Sequence, residues 1–439
     1  MRTRDRHAPT APTQAGDLAL EALAENDPER SLRHAIPALG DVGAGAPGLD
    51  LVGRSAVSLG AMSLARGAFE AAAVALTEQG QVCHAVASAV AALRLAGRDA
   101  PLEAVAEAFA ADVERTSSAR VGPPPLHSDD VSPLEDTVPR DELLALARDA
   151  VARAPVTDEL PARAAHPLWG TLPKTCFMAF AQALQVRLCR AQEQVLTEGQ
   201  PGDSLYLIAR GEVRVVRGLG EKTRDLAVLG AGAVFGEMAL LTRSPRAASA
   251  ITTRAALLLE FPREAVHEAL QRSPALGRAL ETWCRGRLLS NLLYTSAVLQ
   301  RVPEGSREAL GAAFETVTFP AGAALLTQGS AGTGLHLLAQ GHVEVRRRED
   351  SGGTLQLATL GPGDCVGELS LVLRRPAMAT VTAREEVVAL VLRPERFLET
   401  MKAFPALLTS LYELSVEREE ELSSVVAQEA LSADDLVLV

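Results

Sequence analysis

A chain of 439 residues exceeds what one core normally holds, and about 150 residues per domain predicts roughly three units. Hydrophobic residues make up 47% of it but aromatics only 3%, so its cores must be built from Ala, Leu and Val. The net charge of −12 disfavours polyphosphate partners, no run of eighteen uncharged apolar residues occurs, and the charged start MRTRDRHAPT lacks the apolar core of a leader; nucleic acid and membrane are therefore not expected as partners, and a cytoplasmic location is.

In chain order, residues 1–14 are rich in Pro, Thr and Arg and read as a disordered start. Residues 15–115 read as an all-α helical-hairpin domain, with apolar residues at helical spacing in DLALEALAEN, AVSLGAMSLARGAFEAAAVALTEQG and CHAVASAVAALRLAG. Breaks at Asp27-Pro28, Gly40 to Gly48 and Gly80 predict four or five helices. Small residues such as Gly60, Ala71 and Ala72 make the region similar to tetratricopeptide-type hairpins, but no fixed period survives, so a plain bundle stays equally open. Residues 116–139, rich in Pro, Ser and Asp, read as a linker.

At Gln185 the pattern changes to short, alternating, Gly-bounded segments: VRLCRA, QVLTEG, SLYLIARG, EVRVVRG, LAVLGAG and AALLLEF. Strands so spaced predict a small antiparallel barrel or jelly roll, and Pro262 opens a helical stretch broken again at Pro274. The order then recurs. LTEG at Leu196 to Gly199 matches LTQG at Leu326 to Gly329, Gly211 faces Gly341 at a separation of 130, and Glu237 faces Glu368 at 131. An internal duplication with one residue inserted in the intervening hairpin explains the offsets. The predicted class is thus α+β multi-domain: two tandem antiparallel β jelly rolls bracketed by helices (140–302 and 303–431), preceded by an all-α domain and followed by a tail at 432–439.

The five cysteines form no CxxC pair, and His166, His267, His336 and His342 are scattered without a nucleophile or ligand arrangement. Reduced buried thiols, no metal and no catalytic residue follow. The chemistry concentrates instead in FGEMALLTRSPRAASA, residues 235–250. Gly236 lets the backbone approach a ligand, Glu237 can accept from a hydroxyl, and Arg246 offers a planar fork of donors to a phosphate.

This stretch resembles the phosphate-binding cassette of the cyclic nucleotide-binding domain family, supported by Gly199, Gly211 and Gly232 in the preceding barrel. The resemblance implies an eight-stranded jelly roll with a short cassette helix and flanking helices that move on binding. It implies a ligand site at Phe235, Gly236, Glu237, Met238, Ala239, Arg246, Ala247, Ala248 and Ser249, with Glu237 accepting the ribose 2′-hydroxyl and Arg246 meeting the cyclic phosphate. Glu237 is also placed to orient Arg246, and Ser249 reads equally as a site hydroxyl or a half-buried strand residue. Ala247, where a Thr accompanies cGMP preference, favours cAMP, with cGMP the less favoured ligand. Trp283, Leu288, Leu292 and Tyr294 are the candidates for capping the base.

The second copy, VGELSLVLRRPAMATV, keeps Gly367, Glu368 and Pro376 but puts Ala377 where Arg246 stands. Losing that cation costs several kcal/mol, so the second site, Gly367, Glu368, Leu369, Ala377, Met378, Ala379 and Thr380, is expected to be degenerate unless Arg374 or Arg375 swings inward. A different ligand there is credible. The tail carries Leu407, Leu408, Leu411, Leu414, Leu422 and Val425 as an amphipathic lid helix, with Glu417 to Glu421 as its solvated acidic face.

The function expected is a cAMP-sensing regulatory protein, not an enzyme, that passes a conformational change to a protein partner. The tandem is similar to regulatory subunits of cyclic nucleotide-dependent protein kinases, which makes a kinase the candidate partner. The linker contains no Arg-Arg-x-Ala or Arg-Arg-x-Ser inhibitor segment, however, and the N-terminal domain shows no dimerisation and docking pattern. A ligand-independent scaffold is the alternative. A helix-turn-helix activator is disfavoured, because a second barrel and an acidic tail stand where the recognition helix would.

Overall fold

Alanine loses no side-chain entropy in a helix, and the Ala-rich region folds accordingly. Its helices are α1 (Ala15–Ala24), α2 (Pro28–Ala38), α3 (Gly45–Ser58), α4 (Met62–Glu78), α5 (Val82–Ala96) and α6 (Ala100–Phe109). This computed structural model describes residues 15–39, 45–111, 132–153, 166–218, 223–237, 245–296, 298–299, 302–303, 306–349 and 352–435, without the side chains of 285, 289–291, 293–295, 307, 308 and 421–435. It divides into two compact units, Met1–Leu280 and Glu281–Val439.

Six described helices exceed the four or five expected, because Gly60 and Gly97 also end helices; Gly97 does so at φ +65, a left-handed cap that costs glycine nothing. Asp27 caps α2 as the sequence suggests, accepting from the Arg30 amide at 3.0 Å. The predicted linker lies partly outside the described residues. Its described end is pinned to α2, where the Leu134 amide donates to the Arg33 carbonyl and the Arg33 guanidinium donates to the carbonyls of Glu135, Asp136 and Val138.

Two further helices, α7 (Arg140–Ala152) and α8 (Lys174–Gln182), precede the strands. Trp169 packs on Phe177 at 4.5 Å and Phe180 stacks on Phe261 at 4.2 Å, which seats α8 on the first barrel. Asp17 of α1 ties the helical region to the same barrel, accepting from Arg210 at 2.8 Å and Arg254 at 3.1 Å.

The first barrel comprises β1 (Gln185–Cys189), β2 (Gln194–Leu196), β3 (Ser204–Arg210), β4 (Val213–Arg217), β5 (Arg224–Leu229), β6 (Val234–Phe235), β7 (Ser249–Thr252) and β8 (Ala256–Pro262). They form antiparallel sheets ordered β1-β8-β3-β6 and β2-β7-β4-β5. The second barrel comprises β9 (Glu315–Phe319), β10 (Ala324–Leu326), β11 (Leu335–Gln340), β12 (Val343–Arg348), β13 (Thr354–Leu360), β14 (Cys365–Val366), β15 (Thr380–Ala383) and β16 (Val387–Leu392). Its sheets run β9-β16-β11-β14 and β10-β15-β12-β13, the same order strand for strand.

The register locates the inserted residue. Val213 pairs with Leu229, and Val343 with Leu360, so the extra residue lies in the hairpin between β12 and β13, as the change of offset predicts. Helices Arg263–Arg272 and Pro274–Thr295 follow the first barrel with the predicted break at Pro274. In the second unit a short cassette helix, Glu368–Val372, interrupts the strands, and helices Pro394–Ala403 and Pro405–Asp435 end the described chain. All five cysteines are free and buried.

Candidate functional site

In the first unit the site begins where β6 ends. Phe235 pairs with Tyr206 across the sheet and their rings stack at 5.2 Å, which fixes where Gly236 and Glu237 emerge. Gly236 has φ +75, and a Cβ there would lie 2.9 Å from Arg246 Nη1 and 3.1 Å from the Ser204 carbonyl oxygen. Only glycine leaves room for the guanidinium.

The backbone at Arg246 is held from both sides: its amide donates to the Gln200 carbonyl at 2.8 Å, and its carbonyl accepts from Gly199 at 2.9 Å. The side chain turns inward until the residue is 8% exposed. Nη1 donates to the Gly236 carbonyl at 3.1 Å and Nη2 to the Ser204 carbonyl at 2.8 Å. Those bonds use two of the five guanidinium donors and neutralise no charge. Asp203 approaches at 3.9 Å but is 88% exposed, so water screens it. Burial pushes the Arg246 pKa down, against the pull of Tyr206, Asp203 and Glu237, and the group remains a cation. A buried cation whose hydrogen bonds all go to neutral carbonyls favours an arriving anion.

Glu237 is buried beside it. The orientation of Arg246 that the sequence reading offered to Glu237 is supplied by the carbonyls of Gly236 and Ser204; Glu237 acts on it through its charge. Sequence reasoning did not include Ser204, whose backbone rather than side chain makes the contact. Met238 and Ala239 lie outside the described residues. Ala247 is exposed, with its carbonyl accepting from Arg217 Nε at 3.1 Å, and Ala248 is half-buried. Ser249 opens β7, and its hydroxyl accepts from the Glu198 amide at 2.9 Å, joining β2 to β7.

The second unit repeats this scaffold without its cation. Gly367 has φ +90, and a Cβ there would run into the Gly334 carbonyl oxygen. Ala377 makes the same two backbone bonds as Arg246, its amide to the Ser330 carbonyl at 2.9 Å and its carbonyl from Gly329 at 2.8 Å. Its methyl group joins the apolar cluster of Leu326, Leu338, Val366 and Val381. Arg374 and Arg375 are exposed, and Arg375 pairs with Glu419 at 2.9 Å, so neither supplies the missing charge.

A different arginine reaches the site. Arg418, on the Pro405–Asp435 helix, donates to Glu368 Oε1 at 2.8 Å and to the Cys365 carbonyl at 2.5 Å. This corrects the reading of 417–421 as a wholly solvated acidic face. Buried Leu407, Leu411 and Ser415 recur every four residues, and Arg418 continues that stripe three residues on, while Leu408 falls off it and is exposed. Burial works most strongly against charge on Arg418, but Glu368, Cys365 and Asp364 together outweigh it and raise the guanidinium pKa.

Beneath this pair lies a cavity of about 310 Å³, walled by Leu326, Val345, Ala377 and Val381 with Glu368 and Arg418 at its polar end. Gly367, Leu369, Met378 and Ala379 line it too. Thr380 opens β15, and its hydroxyl accepts from the Gln328 amide at 3.1 Å, the counterpart of Ser249. Of the capping candidates, Trp283, Leu288 and Leu292 are buried and belong to the second unit, and the Tyr294 side chain lies outside the described residues.

The model of the cyclic nucleotide-binding domain matches residues 186–273 and 316–404, one match on each barrel. The chain is 29% identical over 230 residues to the cAMP-dependent protein kinase regulatory subunit of Yarrowia lipolytica, covering 52% of this chain and 57% of that protein. It is also 29% identical over 264 residues to the type II regulatory subunit of Drosophila melanogaster, covering 59% and 65%. Both matches span less than two thirds of the relative. The regulatory domain of Toxoplasma gondii PKA, solved with cAMP, is 24% identical at a TM-score of 0.29, covering 58% of this chain and 92% of that one. Among the described residues no helix is long and apolar enough to cross a membrane.

Proposed function

We propose that this chain, which carries two cyclic nucleotide-binding domains in tandem, is a cytoplasmic regulatory protein whose first barrel takes cAMP and whose response is passed to a protein kinase. One observation carries the reading: the buried Arg246 guanidinium, held by the carbonyls of Gly236 and Ser204 beside buried Glu237, with three N–H donors left for a cyclic phosphate. Ala247 places no side-chain donor or acceptor beside the base, which supports cAMP over cGMP. The kinase enters through the names of the relatives, and the N-terminal helices packed on the first barrel offer a route for the signal within that unit.

Calorimetric titration of the full chain tests the ligand. The expected result is one cAMP per chain, weaker cGMP, and a loss of about 100-fold, or ~2.7 kcal/mol, in Arg246→Ala. Two equal cAMP sites, or none, overturn the assignment. Adding the chain to a cAMP-dependent kinase catalytic subunit tests the partner: activity should fall without cAMP and return with it.

A further inference from the structure

The Pro405–Asp435 helix carries two stripes at a spacing of four residues, and only one is buried. Leu407, Leu411 and Ser415 are covered within the second unit, and Arg418 ties the helix to Glu368. One position further round, Leu408, Tyr412 and Val416 are 39%, 55% and 38% exposed. Lone exposed apolar residues are ordinary on a protein surface, but three in register along one helix form a continuous strip.

Charge borders that strip. Glu413, Glu417 and Glu420 are exposed along its outer side, whereas Glu419, toward the buried side, pairs with Arg375 at 2.9 Å. The border decides between occupants. A second copy of the chain would bring its own glutamates to the strip, and an anionic lipid surface would be repelled by them. A helix with apolar residues on one face and Lys or Arg beside them answers both features. Its side chains pack against the ridge that residues four apart form, and its cations meet Glu417 and Glu420. Tyr412, at the centre of the strip, offers a large ring that loses little rotamer freedom on contact.

We propose that the outer face of this helix is a docking surface for a basic amphipathic helix of a partner protein, with Tyr412 as the anchor and Glu417 and Glu420 setting the partner's orientation. The surface lies wholly on the second unit and does not depend on what the first barrel binds.

The probe is a fluorescent peptide of about 14 residues, Leu on one helical face and Lys on the other, titrated with the full chain and read by anisotropy. It should bind once per chain, at least tenfold more tightly than the same peptide with Glu in place of Lys. Tyr412→Ser, at an exposed position, should weaken it at least tenfold without altering the melting of the second unit. Glu417→Lys combined with Glu420→Lys should weaken it at least tenfold as well, and cAMP binding should be unchanged in both variants. No saturable binding, equal binding of the Glu peptide, or full binding in Tyr412→Ser each overturns the proposal. A dimer of the chain, or adhesion to phosphatidylserine vesicles, that Tyr412→Ser abolishes also overturns it, because either gives the strip to a different occupant.

Discussion

The two barrels share their sheet order strand for strand, and they share the two backbone hydrogen bonds at residues 246 and 377, yet a cation reaches each site from a different place. In the first it rises from the cassette itself and rests on carbonyls; in the second it comes from the C-terminal helix and rests on the retained acid. The difference separates what the fold needs from what the ligand needs. Sheet register and cassette glycines are set by the backbone and persist, whereas the electrostatics of each site hangs on one side chain.

The largest effect should come from breaking the second arrangement. Arg418→Ala leaves Glu368 buried and unpaired, which should cost the second unit about 3–5 kcal/mol. Each unit holds one of the two tryptophans, Trp169 in the first and Trp283 in the second, so denaturation followed in Trp169→Phe protein reports the second unit. Adding Glu368→Gln to Arg418→Ala should restore most of the loss. An unchanged midpoint in Arg418→Ala would mean that the pair holds nothing together.

That arginine also marks where the sequence stopped being legible. Period-two segments, recurring glycines and the 130- and 131-residue offsets disclosed the antiparallel strands, the duplication and the inserted residue, because backbone geometry leaves a local trace, whereas the sheet order left none. Ser204 left none, since a carbonyl oxygen is contributed by any residue. Arg418 was hidden among glutamates at 417–421, and its inward turn shows only when its place on the Leu407–Leu411–Ser415 stripe is counted rather than its charge. The count of helices failed at Gly60 and Gly97, where single glycines between Ala-rich runs end a helix as firmly as a proline.

The glycines sharpen the comparison at a smaller scale. Both occupy left-handed φ, where a Cβ costs about 1–2 kcal/mol. At Gly236 the obstacle nearest a Cβ is the far end of the Arg246 side chain, whereas at Gly367 it is the backbone oxygen of Gly334. Gly367→Ala should therefore cost its unit about 3 kcal/mol and Gly236→Ala about 2 kcal/mol, but only Gly236→Ala should weaken cAMP, by displacing Arg246. Equal losses of stability would show that the Gly334 backbone yields as readily as a side chain.

Ala377→Arg asks whether one side chain accounts for the lost cation site. The backbone at 377 is already held as at 246, and the carbonyls of Gly367 and Gly334 stand where Gly236 and Ser204 receive Arg246. The substitution should raise cAMP stoichiometry from one to two per chain and strengthen the second site at least tenfold, ~1.4 kcal/mol. A stoichiometry that stays at one at millimolar cAMP would place the difference in the Glu368–Arg418 pair instead.

Acid should separate the units by the smallest margin. In the first barrel Tyr206 donates to Glu260 at 2.9 Å, and burial helps push its pKa up to about 12, so it stays neutral throughout. In the second, His336 holds the corresponding place on β11, and burial lowers its pKa from 6.5 to about 4. His166, which seats the turn before α8 by accepting from the Leu168 and Trp169 amides and bonding the Gly232 carbonyl through Nε2, is lowered to about 4 by the same cause. Between pH 6.5 and 4 the unfolded chain then binds more protons than the folded one, so stability is full above pH 6.5 and falls as the pH drops toward 4. From pH 7 to 5 each histidine should cost its unit about 1–2 kcal/mol. His336→Gln should flatten that loss when the second unit is followed through Trp283 and leave the first unchanged, and His166→Gln should do the converse. If the second unit loses stability over this range as steeply in His336→Gln as in the unaltered chain, the protons are going elsewhere and His336 is not the group that acid acts on.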